Sequence, residues 1–251
     1  MPVTVAATTA SEDDVTLSST ALELVYAIAD PMSGKKDLYY TSRPTLTDPW
    51  GPISKLPFDT DASEETPRFS VDDKTLYFAS DRTTAGNLDI YAVPHSASAT
   101  TPWGKAAPVT EFSTALSEKW LSPCSDGHYV IVQSTSGSET HLFEGTLGGG
   151  TPAAIDALNA TGVSDTGAFL TPDCLTLYFA SFRVTPEAIF VAHRARVDAP
   201  WQPAAPVDYL KITASNGGSA AEEDPWVSPD GHTFALASDA SGTKDVYLST
   251  R

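Results

Sequence analysis

The chain has 251 residues, 41% of them apolar and 19% charged, a composition that folds around a core and is unlike that of a disordered chain. Its 15 Lys and Arg against 32 Asp and Glu give a formal charge of −17 and a pI near 4.4, which repels nucleic-acid backbones and anionic membrane surfaces. No apolar run reaches the roughly 18 residues of a membrane-crossing helix, and Met1 to Asp14 lacks the basic-then-apolar order of a signal peptide, so neither is expected.

In chain order, Val3 to Thr8 is a β-prone segment standing alone ahead of a unit that returns five times. The unit begins with an apolar residue before Ser or Thr, in Asp14-Val-Thr-Leu-Ser-Ser, Thr66-Pro-Arg-Phe-Ser, Lys119-Trp-Leu-Ser-Pro, Ala168-Phe-Leu-Thr-Pro and Asp224-Pro-Trp-Val-Ser-Pro. Aligned there, Leu17, Phe69, Leu121, Leu170 and Val227 are separated by 52, 52, 49 and 57 residues, the spacing of propeller blades. A hairpin turn then leads into a second strand at Leu24, Leu76, Tyr129, Leu177 and Phe234. A third follows at Asp37, Asp89, His141, Ala188 and Asp245. Pro49-Trp50, Pro102-Trp103 and Pro200-Trp201, each followed by Pro/Ala-rich residues, announce a fourth strand at an outer edge that tolerates proline. The third unit has Thr151-Pro152 instead, and the fifth stops at Arg251, leaving Val3 to Thr8 to supply its missing edge and close the ring.

The expected fold is therefore all-β: one five-bladed β-propeller of four-stranded blades, with blades near 11–60, 61–112, 113–160, 161–212 and 213–251 plus 1–10. The apolar residue, the Ser-Pro-Asp-Gly turn, the apolar strand, Ser80-Asp81-Arg82 and Asp89-Ile-Tyr together resemble the TolB-like, or PD40, WD40-like repeat over nearly the whole chain. The first unit departs from it with Ser18-Ser-Thr, and the third carries an extra residue in Pro123-Cys-Ser-Asp-Gly. The resemblance implies a propeller and, for function, a family that spans transport accessories, peptidase-associated propellers and binding modules. It also implies a periplasmic or secreted setting.

Inner strands line the axis, and their side chains alternate. If Leu17, Phe69, Leu121, Leu170 and Val227 pack between sheets, then Thr16, Arg68, Trp120, Phe169 and Trp226 face the channel, with Asp14, Thr66, Glu118, Gly167 and Asp224 on the same side nearer its end. Aromatics beside one Arg and several carboxylates suit a small organic, sugar or peptide ligand, although aromatics can equally plug a narrow channel. The ligand-binding candidates are Thr16, Thr66, Arg68, Trp120, Phe169 and Trp226. Asp30, Asp81, Arg82, Arg183 and Asp239, with Glu64, Glu65, Asp165, Glu222 and Glu223, should make one rim acidic. An amine or Ca²⁺ would suit such a rim, but no Ca²⁺-loop motif occurs and several of these residues suit turns, so neither metal nor cofactor is expected.

If the chain is an enzyme, Asp14, Glu118 and Asp224 are the candidate catalytic carboxylates of a hydrolase or lyase, with Glu118 beside Trp120 the best acid. None of the five histidines falls at a channel position, and neither a G-x-S-x-G elbow nor a phosphate loop is present. A protein-interaction platform on the blade faces is the third possibility. Cys124 and Cys174 occupy nearly equivalent repeat positions; a bridge between neighbouring blades is conceivable, but such points usually lie beyond disulfide reach.

Overall fold

The computed structural model describes residues 3–4, 10–97, 102–136, 139–215 and 217–250. An N-terminal β1 (Val3–Thr4) is followed by blade one: β2 (Ser11–Leu17), β3 (Glu23–Ala29), β4 (Lys36–Ser42) and β5 (Ser54–Lys55). Blade two is β6 (Glu64–Phe69), β7 (Thr75–Thr84), β8 (Asn87–Pro94) and β9 (Ala107–Pro108). Blade three is β10 (Glu118–Pro123), β11 (His128–Ser134), β12 (Thr140–Thr146) and β13 (Ala153–Ala154). Blade four is β14 (Asp165–Leu170), β15 (Thr176–Ser181), β16 (Ala188–His193) and β17 (Ala205–Pro206). Blade five is β18 (Glu222–Val227), β19 (Thr233–Ser238) and β20 (Asp245–Thr250), completed by β1. The inner strands β2, β6, β10, β14 and β18 pack on one another in a closed ring.

The ring closes as expected. Val3 pairs with Leu248 and Thr4 with Tyr247, so the chain ends share a blade; residues 5–8 of the expected closing strand lie outside the described residues. Each outer strand is only two residues long, and the Pro-Trp pairs lie upstream of it, where the rings wedge into the core. Trp103, for example, packs on Tyr40, Phe58 and His95. Strands are buried on both faces because each sheet is covered by two neighbours. Val25, Ala27 and Leu38 of blade one meet Leu76 and Phe78 of blade two, and Val130, Val132 and Leu142 of blade three meet Leu177 and Phe179 of blade four.

All five inner strands are irregular at the same point. Pairing with the second strand shifts between Asp13 and Thr16, Glu65 and Arg68, Lys119 and Ser122, Thr166 and Phe169, and Glu223 and Trp226. The bulged residues Asp14, Thr66, Trp120, Gly167 and Asp224 have φ of 53°, 53°, 48°, 56° and 54°. For the four that are not glycine, this left-handed backbone costs on the order of 1–3 kcal/mol each and persists only where the surroundings impose it. Gly167 has no alternative: a Cβ there would sit 2.8 Å from the Asp224 backbone nitrogen.

The bulges correct the register expected for blade three. Glu118 pairs with Gln133 as Glu64 pairs with Ser80, and Ser122 pairs with Val130 as Arg68 pairs with Tyr77. Trp120 is therefore the counterpart of Asp14, Thr66, Gly167 and Asp224. Ser122, not Trp120, is the counterpart of Arg68, and Glu118 belongs with Glu12, Glu64, Asp165 and Glu222, two residues earlier than expected.

The same shift explains the cysteines. In the hairpin turns, the N–H groups of Ala21, Asp73, Gly127, Cys174 and Gly231 bond the carbonyls of Ser18, Ser70, Cys124, Thr171 and Ser228. Cys124 thus opens its turn while Cys174 closes the next one. They are not equivalent points, and the offset brings them to a Cα separation of 5.3 Å, where they form a disulfide joining blades three and four. At the junction of blades one and two, Asp73, the counterpart of Cys174, instead accepts hydrogen bonds from the Ser19 backbone at 2.8 Å and its hydroxyl at 2.6 Å.

Candidate functional site

Two layers of side chains fill the axis. The upper layer, on the face where the inner strands begin, consists of the bulged residues. The left-handed backbone turns them inward, where Asp14, Thr66, Trp120 and Asp224 bond across blades. The Asp14 backbone N–H donates to Asp224 Oδ2 at 2.9 Å, the Trp120 indole Nε1 to Asp224 Oδ1 at 2.8 Å, and the Trp120 backbone N–H to Thr66 Oγ1 at 3.2 Å. One indole therefore ties blade three to blade five across the axis. Asp14 and Asp224 are 2% and 1% exposed.

Lysines roof this layer. Lys36 Nζ lies 2.6 Å from Asp14 and 2.9 Å from Asp13, Lys244 bonds Glu223 at 2.7 Å and reaches Asp13 at 3.6 Å, and Lys119 bonds Glu65 at 3.0 Å above the Trp120 ring. The rim expected to be acidic is thus a lattice of both signs. Burial pushes Asp224 up to about 7, reinforced by the Asp14 and Glu223 charges, and pushes Asp13 and Glu223 to about 7 as well. Burial acts on Asp14 in the same sense, but bonded Lys36 outweighs it and holds that carboxyl below its ordinary range. The rim residues Asp30, Asp81 and Asp239 accept backbone N–H bonds from Ser33, Ser63 and Ala221, and Arg82 and Arg183 hold Glu64 and Asp165. These five are turn and blade contacts.

The lower layer is Thr16, Arg68, Ser122, Phe169 and Trp226. The Arg68 guanidinium lies 5.3 Å from the Phe169 ring centre, which is 6.3 Å from that of Trp226. Arg68 donates to the carbonyls of Ala168 at 3.2 Å, Val15 at 3.4 Å and Pro225 at 3.5 Å, in blades four, one and five. Ser122 Oγ accepts the Leu170 N–H, whereas Thr16 Oγ1 and Arg68 Nε are buried without a hydrogen-bond partner among the described residues. On the hairpin face, Arg68, Phe169 and Trp226 line a small cavity of about 40 Å³ whose wall includes Phe69, Val71 and Pro229.

Of the expected ligand-binding residues, Arg68, Phe169 and Trp226 converge at this mouth, with Thr16 in their layer. Thr66 and Trp120 lie one layer above, with Asp14 and Asp224. Of the expected catalytic carboxylates, Glu118 stands apart from Asp14 and Asp224. Its carboxylate accepts the backbone N–H and hydroxyl of Thr114, clamping the connection ahead of β10, as Glu64 clamps Thr60 and Glu222 accepts the Ile212 N–H. Burial pushes it up to about 7, against the bonds from Thr114. Lys36, Lys119, Lys244 and Ser122 went unnoticed in the sequence; aligning the turn aspartates Asp72, Asp126, Asp173 and Asp230 would have recovered Ser122. A further carboxylate group, Asp37, Asp59 and Glu64, has oxygens within 4.8 Å of one another and is ion-paired to Lys55 and Arg82.

These features define a five-bladed β-propeller with a plugged axis. Solved structures share the fold at low identity. The structure of putative TolB from Agrobacterium tumefaciens is 16% identical with a TM-score of 0.59, over 93% of this chain and 72% of that one. TolB from Acinetobacter baumannii is 15% identical with a TM-score of 0.58, over all of this chain but 57% of its own length. An endo-arabinase from Bacteroides thetaiotaomicron is 14% identical with a TM-score of 0.60, over 99% of this chain and 96% of that one. No protein-family model matches the chain, nor does any curated protein sequence.

Proposed function

We propose that this chain is a binding module that receives the tip of a peptide or protein partner in the hairpin-face mouth of its axis. The observation behind this reading is the asymmetry of the axis: hydrogen-bonded Trp120, Asp14 and Asp224 close one end under lysines, while Arg68, Phe169 and Trp226 floor an opening at the other. A cavity of about 40 Å³ has room for only a few water-sized groups at ~10–15 Å³ each, far below the ~300–1,000 Å³ that enclose a whole organic ligand. Such a mouth suits end-on capture rather than engulfment of a sugar. The disulfide between blades three and four supports work in an oxidising compartment.

The test is retention of a pool of random-sequence peptides by the immobilised chain and by Val71→Trp, which adds a ring at the rim without touching the floor. Peptides held by the wild type should be lost from the variant. Equal retention by both, or none by either, sinks the reading.

A hydrolase or lyase is the second reading, favoured by one feature: Asp14 and Asp224 are neighbours whose surroundings drive their pKa values in opposite directions, as in an acid and base pair. Against it, both lie buried beneath the lysine roof. Turnover of any glycan or polyuronate that disappears in Asp224→Asn would favour this reading over the first.

A further inference from the structure

The charge state of the mouth's floor carries the binding reading one step further, to the chemistry of what enters. An arginine has five N–H donors, and a buried guanidinium left short of partners costs several kcal/mol in lost hydration. Arg68 is 2% exposed, yet its three bonds are long, 3.2–3.5 Å, all go to neutral carbonyls, and its Nε has none. It forms no ion pair among the described residues. Arg82, Arg183, Arg194 and Arg196 each hold a carboxylate, and Arg43, which does not, is partly exposed. Asp14 and Asp224 in the layer above act on Arg68 only through their field. The one carboxylate in the mouth's wall, Asp73, is already engaged by Ser19.

A chain with 32 acidic residues has thus buried one unpaired cation on its axis, at the floor of an opening to solvent. A planar carboxylate matches the guanidinium fork, and a cavity of about 40 Å³ takes little more than such a head group. The aromatic neighbours offer a face for one apolar side chain beside it. Resting on the binding reading, we propose that Arg68 receives the C-terminal carboxylate of an extended peptide whose last side chain packs on Phe169 and Trp226.

The probe is a random-sequence peptide pool made without Asp and Glu, so that only the chain end supplies a carboxylate, prepared as the free acid and as the C-terminal amide. The full chain should retain the free acid at least about tenfold better than the amide, the effect of one charge-assisted contact. Arg68→Met should hold both forms equally. If the amide is retained as well as the acid and both are lost in Val71→Trp, the mouth binds but the carboxylate inference is overturned, and water satisfies Arg68. If neither form shows retention that depends on Val71, the binding reading itself falls. The comparison of acid with amide on the unaltered chain needs no variant to fold.

Discussion

The two ends of the propeller axis are built from the same five strands and differ in how their polar groups are satisfied. In the upper layer every inner strand bends into left-handed backbone, and the side chains of Thr66, Trp120 and Asp224 that this turns inward are each met by a polar partner from another blade. Two residues further along, the strands are regular again, the side chains are aromatic or small, and the single cation is left with carbonyls. The upper end is therefore committed to holding the ring together. The lower end is under-satisfied, which is how a surface prepared for something outside the chain differs from one completed within it.

Removing the Trp120 ring should break that difference most severely. Trp120→Ala opens a void at the axis and leaves the Asp224 carboxylate without its indole donor, so a loss of about 3–5 kcal/mol in urea-denaturation stability is expected. A loss below about 1 kcal/mol would mean that the indole does not tie blades three and five.

Titrating the upper end sharpens the contrast. Asp13, Glu223 and Asp224, all raised to about 7 chiefly by burial, hold protons in the folded state that the unfolded chain has released. Between pH ~4 and ~7 the folded state binds more protons, so stability falls as pH rises through that window. His95 acts in the same sense. Burial lowers its pKa, but bonds to Glu23 and the Asp73 carbonyl raise it more, so its contribution is present below its ordinary value and lost as pH climbs through the folded one. Glu64, brought to about 2 by bonds from Asp59 and Thr60 against its burial, and Asp14, held low by Lys36, contribute above their ordinary values and fail as the pH drops below ~4. Maximum stability should lie near pH ~4–5, with the midpoint in urea lower at pH 8 by the equivalent of about 1–3 kcal/mol. Asp224→Asn should flatten that slope, and a higher midpoint at pH 8 would contradict the assignment.

What the sequence disclosed follows from what repeats. Five recurrences of an apolar residue, a turn and two β-rich runs define blades because each sheet must bury both faces, and the spare segment at Val3 had one open edge to fill. Strict alternation carried the inner strands only as far as the bulge. A bulge adds a residue without any composition of its own, and Thr66 and Trp120 are not residues that announce positive φ. In blade three the apolar Leu121 matched the repeat but sat two positions early, and that slip placed Glu118 in the channel and made the cysteines look equivalent. The lysine roof was hidden for another reason: Lys36 opens the third strand of Asp13's own blade and Lys244 lies in the loop before the third strand of blade five, so only the folded sheets and their ring bring both over Asp13.

The smallest expected effect on folding makes the sharpest test of the lower end. Arg68→Met keeps nearly the same volume and removes a buried cation whose hydrogen bonds are long and whose nearest anions lie in the layer above. Losing weak bonds to three carbonyls is set against regaining the cost of dehydrating a charge, and in other proteins such exchanges come out neutral or stabilising. The variant should therefore unfold within about 1 kcal/mol of the parent in urea while losing its preference for a free peptide carboxylate. A residue that folding can do without, kept charged at the centre of an acidic protein, is then explained by what it binds. A loss of about 3 kcal/mol or more would instead make Arg68 a further tie between blades, and the two ends of the axis would be alike.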